Sequence, residues 1–310
     1  MAIALSRTSV PSRARIVVCV AAVVACLPYA ALKIAWIAGS DIGTADADAA
    51  DLMHDTTTVV GNVITLSMEV GAVAVVSALT FVRRIPSLLL VGPIWVGTGL
   101  LAPVVVGLPI GVVVQALAGG APAPDDSGLH GWVFLLVYGG FIVQAPLLVG
   151  AFLLRAAHEW PWVFRLRADD VARGATYSVQ LLVARTAIVV GLLIALAYAL
   201  WTVDADAFLG PVGFDTAAQR TFLATNGIFP LAGAIGALAL VRRPRPGSLR
   251  APLVLAWVGS AASFSTAVLP LAEAGRFGSF VVCLGGMTGV ALAITALLVL
   301  TDARHAQTAP

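Results

Sequence analysis

Charge is what this chain has least of. Only 11% of its 310 residues are charged while 60% are hydrophobic, and the mean hydropathy is +0.98. A water-soluble domain carries about 25% charged residues and no more than about half apolar ones. That deficit excludes a solvated surface of ordinary size. Lysine is nearly missing, with Lys33 alone against 17 arginines. Cysteine is scarce too: Cys19 and Cys26 lie on one face of a helix about 10 Å apart along its axis, too far for a bridge, and Cys283 is isolated. No disulfide framework follows from these three thiols.

The catalytic signatures are also missing. There is no Walker A loop, no Gly-x-Ser-x-Gly elbow and no Gly-x-Gly-x-x-Gly turn. His158-Glu159 lacks the second histidine of a zinc protease, and Asp169-Asp170 lacks the further acid that would hold a diphosphate through a metal. These absences argue against ATP hydrolysis, metal chemistry and a bound cofactor, and make an enzyme the least supported class. The net charge of +2 gives no reason to expect a nucleic acid partner.

What the chain does have is eight apolar runs, near residues 16–38, 57–82, 86–106, 132–154, 179–201, 221–241, 251–271 and 278–300. Each reaches the roughly 20 residues that carry a helix across hydrocarbon. The runs are continuously apolar rather than alternating, so internally hydrogen-bonded helices are expected and a barrel is not. The expected class is all-α, an eight-transmembrane-helix bundle. The first run exceeds the 7 to 15 apolar residues of a typical secretion signal and is read as a retained span.

Arginines segregate to alternate loops. Arg7, Arg13, Arg15, Arg83, Arg84, Arg155, Arg165, Arg167, Arg173, Arg242, Arg243, Arg245, Arg250 and Arg304 fall on one side. Asp41, Asp46, Asp48, Asp51, Asp55, Asp125, Asp126, Asp204, Asp206, Asp215 and Glu273 fall on the other, joined there by Arg220 and Arg276. The positive-inside rule then expects both termini in the cytoplasm and the protein in the inner membrane.

An internal duplication is suggested by FVRRIPSLLLVGPIWVG at 81–97 and LVRRPRPGSLRAPLVLAWVG at 240–259, followed by Tyr-Gly-Gly at 138–140 and Leu-Gly-Gly at 284–286. Four spans return the chain to its starting side, so a 4+4 duplication is a parallel repeat. The expected organisation is a first half over 1–158 with an outer insertion at about 107–130, a cytoplasmic linker at 159–178 and a second half over 179–310. Pro103 and Pro109 predict a kink or break after the third span, and Gly107 with Gly111 a close helix contact.

Within the second run, Thr58, Asn62, Thr65 and Glu69 share an arc of roughly 60°. An acidic side chain at a span's centre costs about 2.5 to 3.5 kcal/mol, so this stripe is expected to face the bundle interior. Glu69 then reads either as a proton- or cation-responsive group on a path lined by Asn62 and Thr65, or as a packing residue bonded to neighbouring helices. Arg185 and Lys33 are the candidate partners, with snorkelling to headgroups as their plainer role. Tyr29 and Trp36 on the first span, and Trp160 and Trp162 in the linker, are expected interfacial anchors. The loop at 41–56 gathers five aspartates and His54 without EF-hand spacing, and reads as a solvated acidic loop.

Pro28, Tyr29, Leu32, Lys33, Trp36 and Gly39 form a Pro-Tyr-x-x-Leu-Lys-x-x-Trp-x-x-Gly pattern. It resembles a pattern in the first span of actinobacterial polytopic membrane proteins, and the resemblance implies no activity. From the residues themselves, the expectation is a small-solute permease or proton-responsive transporter; a non-transporting scaffold or envelope sensor is the alternative. Membrane lipids are the expected partners, with a small solute or protons as cargo and a homo-oligomer compatible with the composition.

Overall fold

The computed structural model describes residues 12–82, 87–120, 128–171, 173–205, 208–211, 214–243, 247–268 and 275–308. Expectations attached to Arg7, Arg83, Arg84, Asp125, Asp126, Asp206, Arg245 and Glu273 lie outside these residues. The chain runs α1 (Arg13–Ile37), α2 (Ala47–His54), α3 (Thr56–Phe81), α4 (Ser87–Leu117), α5 (Gly131–Glu159), α6 (Pro161–Arg165), α7 (Tyr177–Val203), α8 (Ala217–Arg242), α9 (Arg250–Val268) and α10 (Arg276–Thr308). All but α2 and α6 are long and apolar enough to cross a membrane, giving the eight expected spans among the described residues. Their outward faces carry Leu135, Leu182, Leu193 and Met287, the exposed apolar surface that lipid requires.

Local chemistry fixes the helix starts. Ser12 caps α1 by accepting the Arg15 N–H, and Asp55 caps α3 through Thr57. Thr216 and Gln219 form a reciprocal capping box on α8. The acidic loop is more ordered than a solvated tether: Asp46 caps α2, and His54 pairs with Asp41 at 2.8 Å. Ala45 donates to the Gly128 carbonyl and His130 to that of Gly43, tying this loop to the start of α5. Gly43 has φ +86°, and a Cβ there would meet Val133 at 2.5 Å, so both backbone and space demand glycine.

Of the expected kink or break, the break does not occur in α4. It is one helix of 31 residues that contains Pro93, Pro103 and Pro109. By sequence it belongs to the first half, yet it packs chiefly against α8 and α9 and only lightly against α3. Small residues permit this. A Cβ on Gly107 would reach Phe222 at 3.0 Å, and one on Gly111 would reach the Ala218 carbonyl at 2.9 Å, so the Gly-x-x-x-Gly face does seat a neighbouring helix. α8 is the hub, flanked by α7, α9, α4 and α10, whereas α1, α3 and α5 form a three-helix group joined to it chiefly through α4.

Where α4 crosses α9 two tetrapeptides of like sequence meet reciprocally. The Trp95 indole donates to the Ser260 hydroxyl at 3.0 Å, and the Trp257 indole donates to the Thr98 hydroxyl at 3.3 Å. Each acceptor stands three residues beyond the tryptophan of its own helix, in Trp-Val-Gly-Thr and Trp-Val-Gly-Ser.

Candidate functional site

The polar residues of α1 and α3 meet along an antiparallel seam. On α1 the inward positions are Arg15, Cys19, Ala22, Cys26, Tyr29, Lys33 and Trp36, spaced alternately by four and three residues, which keeps one face of a helix against its neighbour. Facing pairs keep a constant register. Lys33 opposes Asn62, Cys26 opposes Glu69, Cys19 opposes Val76 and Arg15 opposes Thr80, and the numbers in each pair sum to 95. The stripe on α3 thus faces the interior, against α1 and α5.

The seam is polar in the half nearer the acidic loop. Lys33 Nζ donates to Asn62 Oδ1 at 2.7 Å and lies 5.3 Å from the Tyr29 ring centroid and 4.8 Å from that of Trp36. One turn further in, Tyr29 stands beside Thr65 and packs edge-on against Phe141 of α5 at 5.0 Å. Next comes Glu69, which is 6% exposed. Its Oε1 accepts from Gln144 Nε2 at 3.0 Å, and the Cys26 thiol lies beside the same carboxyl. Gln144 Nε2 also stands 3.0 Å from Cys26 Sγ.

Beyond Glu69 the seam turns apolar, through Ala22, Cys19, Val76, Leu79, Leu90 and Ala151. Two arginines close the far end. Arg155 donates to the carbonyls of Leu79 at 3.2 Å and Val82 at 2.9 Å and pairs with Glu159. Arg15 reaches the carbonyls of Leu79 and Thr80. These are the acceptors that the last turn of α3 leaves without helical partners, and cations suit that end of the helix dipole.

Several expected roles change. Arg185 does not partner Glu69: it is exposed on α7, which packs on α8 and α10 across the bundle from α3. A comparison of depth alone could not reveal that lateral separation. Lys33 does not pair with Glu69 either, because the register places it two helical turns away, on Asn62. Tyr29 and Trp36 are buried rather than turned to headgroups, with Trp36 Nε1 donating to the Ile42 carbonyl at 2.8 Å. Trp160 and Trp162 are half-buried, packed on the α1/α3/α5 core and the α7–α10 core respectively.

Gln144 is the residue that sequence reasoning passes over. It is a lone amide in an apolar span, and the reasoning applied to Glu69 would find it. A small cavity lies elsewhere, between α7, α8, α9 and α10, lined by neutral polar groups of Tyr198, Asn226, Ser263 and Thr266. Among the described residues no group of three or more His, Cys, Asp or Glu side chains could hold a metal ion.

No protein-family model matches the chain, nor does any curated protein or solved structure.

Proposed function

We propose that this chain is a proton-responsive permease for a small solute, with Glu69 as the responsive carboxyl and Lys33, Asn62 and Thr65 lining the path. One observation carries the reading: Glu69 is buried at mid-span, held by the neutral donor Gln144 beside the Cys26 thiol, with no cation in contact among the described residues. A carboxyl so placed changes its bonding when it gains or loses a proton, because only the protonated form can donate. The arginine distribution supports a cytoplasmic-membrane location with both termini inside. The reciprocal Trp95 and Trp257 bonds support a parallel 4+4 duplication, an arrangement that in transporters puts sites near the midplane.

The alternative, a non-transporting scaffold or sensor, draws support from the apolar layer between Glu69 and the arginine-rich end. Reconstitution separates the two. Purified protein in proteoliposomes is expected to dissipate an imposed pH gradient faster than empty vesicles, and Glu69→Gln to remove the difference. Equal flux from the wild type and the variant, with both folded, favours the scaffold.

A further inference from the structure

We propose that Lys33 and Asn62 form a binding site for an oxyanion, a carboxylate or phosphate group, at the acidic-loop end of the α1/α3 seam. Donors outnumber acceptors there. An ammonium only donates, so the Asn62 atom 2.7 Å from Lys33 Nζ must be its carbonyl oxygen. The Asn62 amide nitrogen therefore points away from Lys33. That nitrogen is buried without a hydrogen-bond partner, in a residue only 5% exposed. Lys33 uses one of its three N–H groups on Asn62, and no carboxylate among the described residues forms an ion pair with it. One positive charge and up to four N–H donors without a hydrogen-bond partner among the described residues thus flank the Asn62 carbonyl oxygen.

Simple snorkelling does not account for this arrangement. A lysine that only sought headgroups would extend along the lipid face, whereas Lys33 is turned toward α3 and flanked by the rings of Tyr29 and Trp36. Leaving a buried donor unpaired is costly, and an oxygen ligand bearing negative charge removes that cost while neutralising the ammonium. The Tyr29 and Trp36 rings supply an apolar wall that excludes water and strengthens the contact. An anion bound here adds a ligand class to the path proposed above, and it rests on that reading only where the anion is cargo. Binding is measured without flux, so either proposal can fail alone.

Lys33 is the only lysine in the chain, which makes its ε-amine a specific reporter. The full chain in phosphatidylcholine nanodiscs is treated with an amine-acylating ester, and the rate at Lys33 is read by peptide mapping. Saturating acetate or inorganic phosphate is expected to slow acylation about tenfold relative to chloride at equal ionic strength. Slowing only in nanodiscs containing phosphatidylglycerol also supports the site and identifies a lipid headgroup as the source. Asn62→Asp places a carboxylate against Lys33 within the chain, so acylation should be slow without added anion and insensitive to it. Equal rates in acetate, phosphate, chloride and both lipids would overturn the proposal, as would an undiminished anion effect in Asn62→Asp.

Discussion

Gly99 of α4 lies so close to Ala261 of α9 that a Cβ on Gly99 would stand 2.1 Å from the Ala261 carbonyl oxygen. This is the crossing point of the two helices that exchange tryptophan bonds. Because the obstructing atom is backbone, no side-chain rotation relieves the clash. Gly99→Ala is expected to lower stability by about 3 kcal/mol, the upper range for overpacking. Gly97→Ala is the control, since a Cβ there meets nothing within 4 Å and alanine favours the helix. Thermal unfolding in detergent compares the two, and equal melting temperatures would contradict the close approach.

Glu69 and Gln144 should be energetically coupled. Interhelical hydrogen bonds in membranes contribute roughly 0.6 to 2 kcal/mol. A double-mutant cycle with Glu69→Leu and Gln144→Leu is expected to return a coupling in that range, measured by reversible unfolding in mixed micelles. Additivity of the two single changes would show that the bond does not bear on stability.

Arg155 is 5% exposed and bonded to Glu159 and to the end of α3. Removing the arginine leaves the Glu159 carboxylate and the Val82 carbonyl without it, while Arg15 still serves the Leu79 carbonyl. Arg155→Met should therefore cost about 1 to 3 kcal/mol, since Glu159 is only partly buried. The double variant Arg155→Met with Glu159→Gln should recover part of that loss, and proteolysis kinetics at the end of α3 give an independent reading.

Asp55 lies at the start of α3 in the acidic loop, where hydrogen bonds from the Thr57 backbone and side chain hold its carboxyl below the ordinary value of 3.8. A carboxylate with a depressed folded-state pKa contributes stability that is present above its ordinary value and lost as pH falls through the lowered one. The wild type should accordingly lose stability as pH drops below 3.8. Asp55→Asn keeps the capping oxygen without the titration, so its melting temperature should fall less steeply over the same window.

The spans are legible because lipid leaves a strong trace: about 20 apolar residues in succession are rare in a chain that folds in water. The inward face of α3 is legible for the same reason, since Asn62, Thr65 and Glu69 share one side of a helix. Neighbours are harder to read. Periodicity reports which way a residue points along its own helix and says nothing of which helix it meets. Depth alone therefore matches Arg185 to Glu69 across a distance that packing does not bridge, and it leaves Gln144 unnoticed. The α2 helix hides inside a loop whose aspartates look merely solvated, because one of them, Asp46, serves as its cap. α4 outruns its apolar run because glycines beyond Pro103 seat it on α8.

The position of α4 has a consequence in time. The helix ends at residue 117 and α8 begins at residue 217, so the 99 residues 118–216 must be synthesised before its principal neighbour starts to appear. At about 5 to 20 residues per second, that wait lasts about 5 to 20 s. Throughout it, a helix with three prolines and a bare glycine face must be sheltered by lipid or by the insertion machinery. Biogenesis, rather than final stability, is where α4 makes this chain most vulnerable.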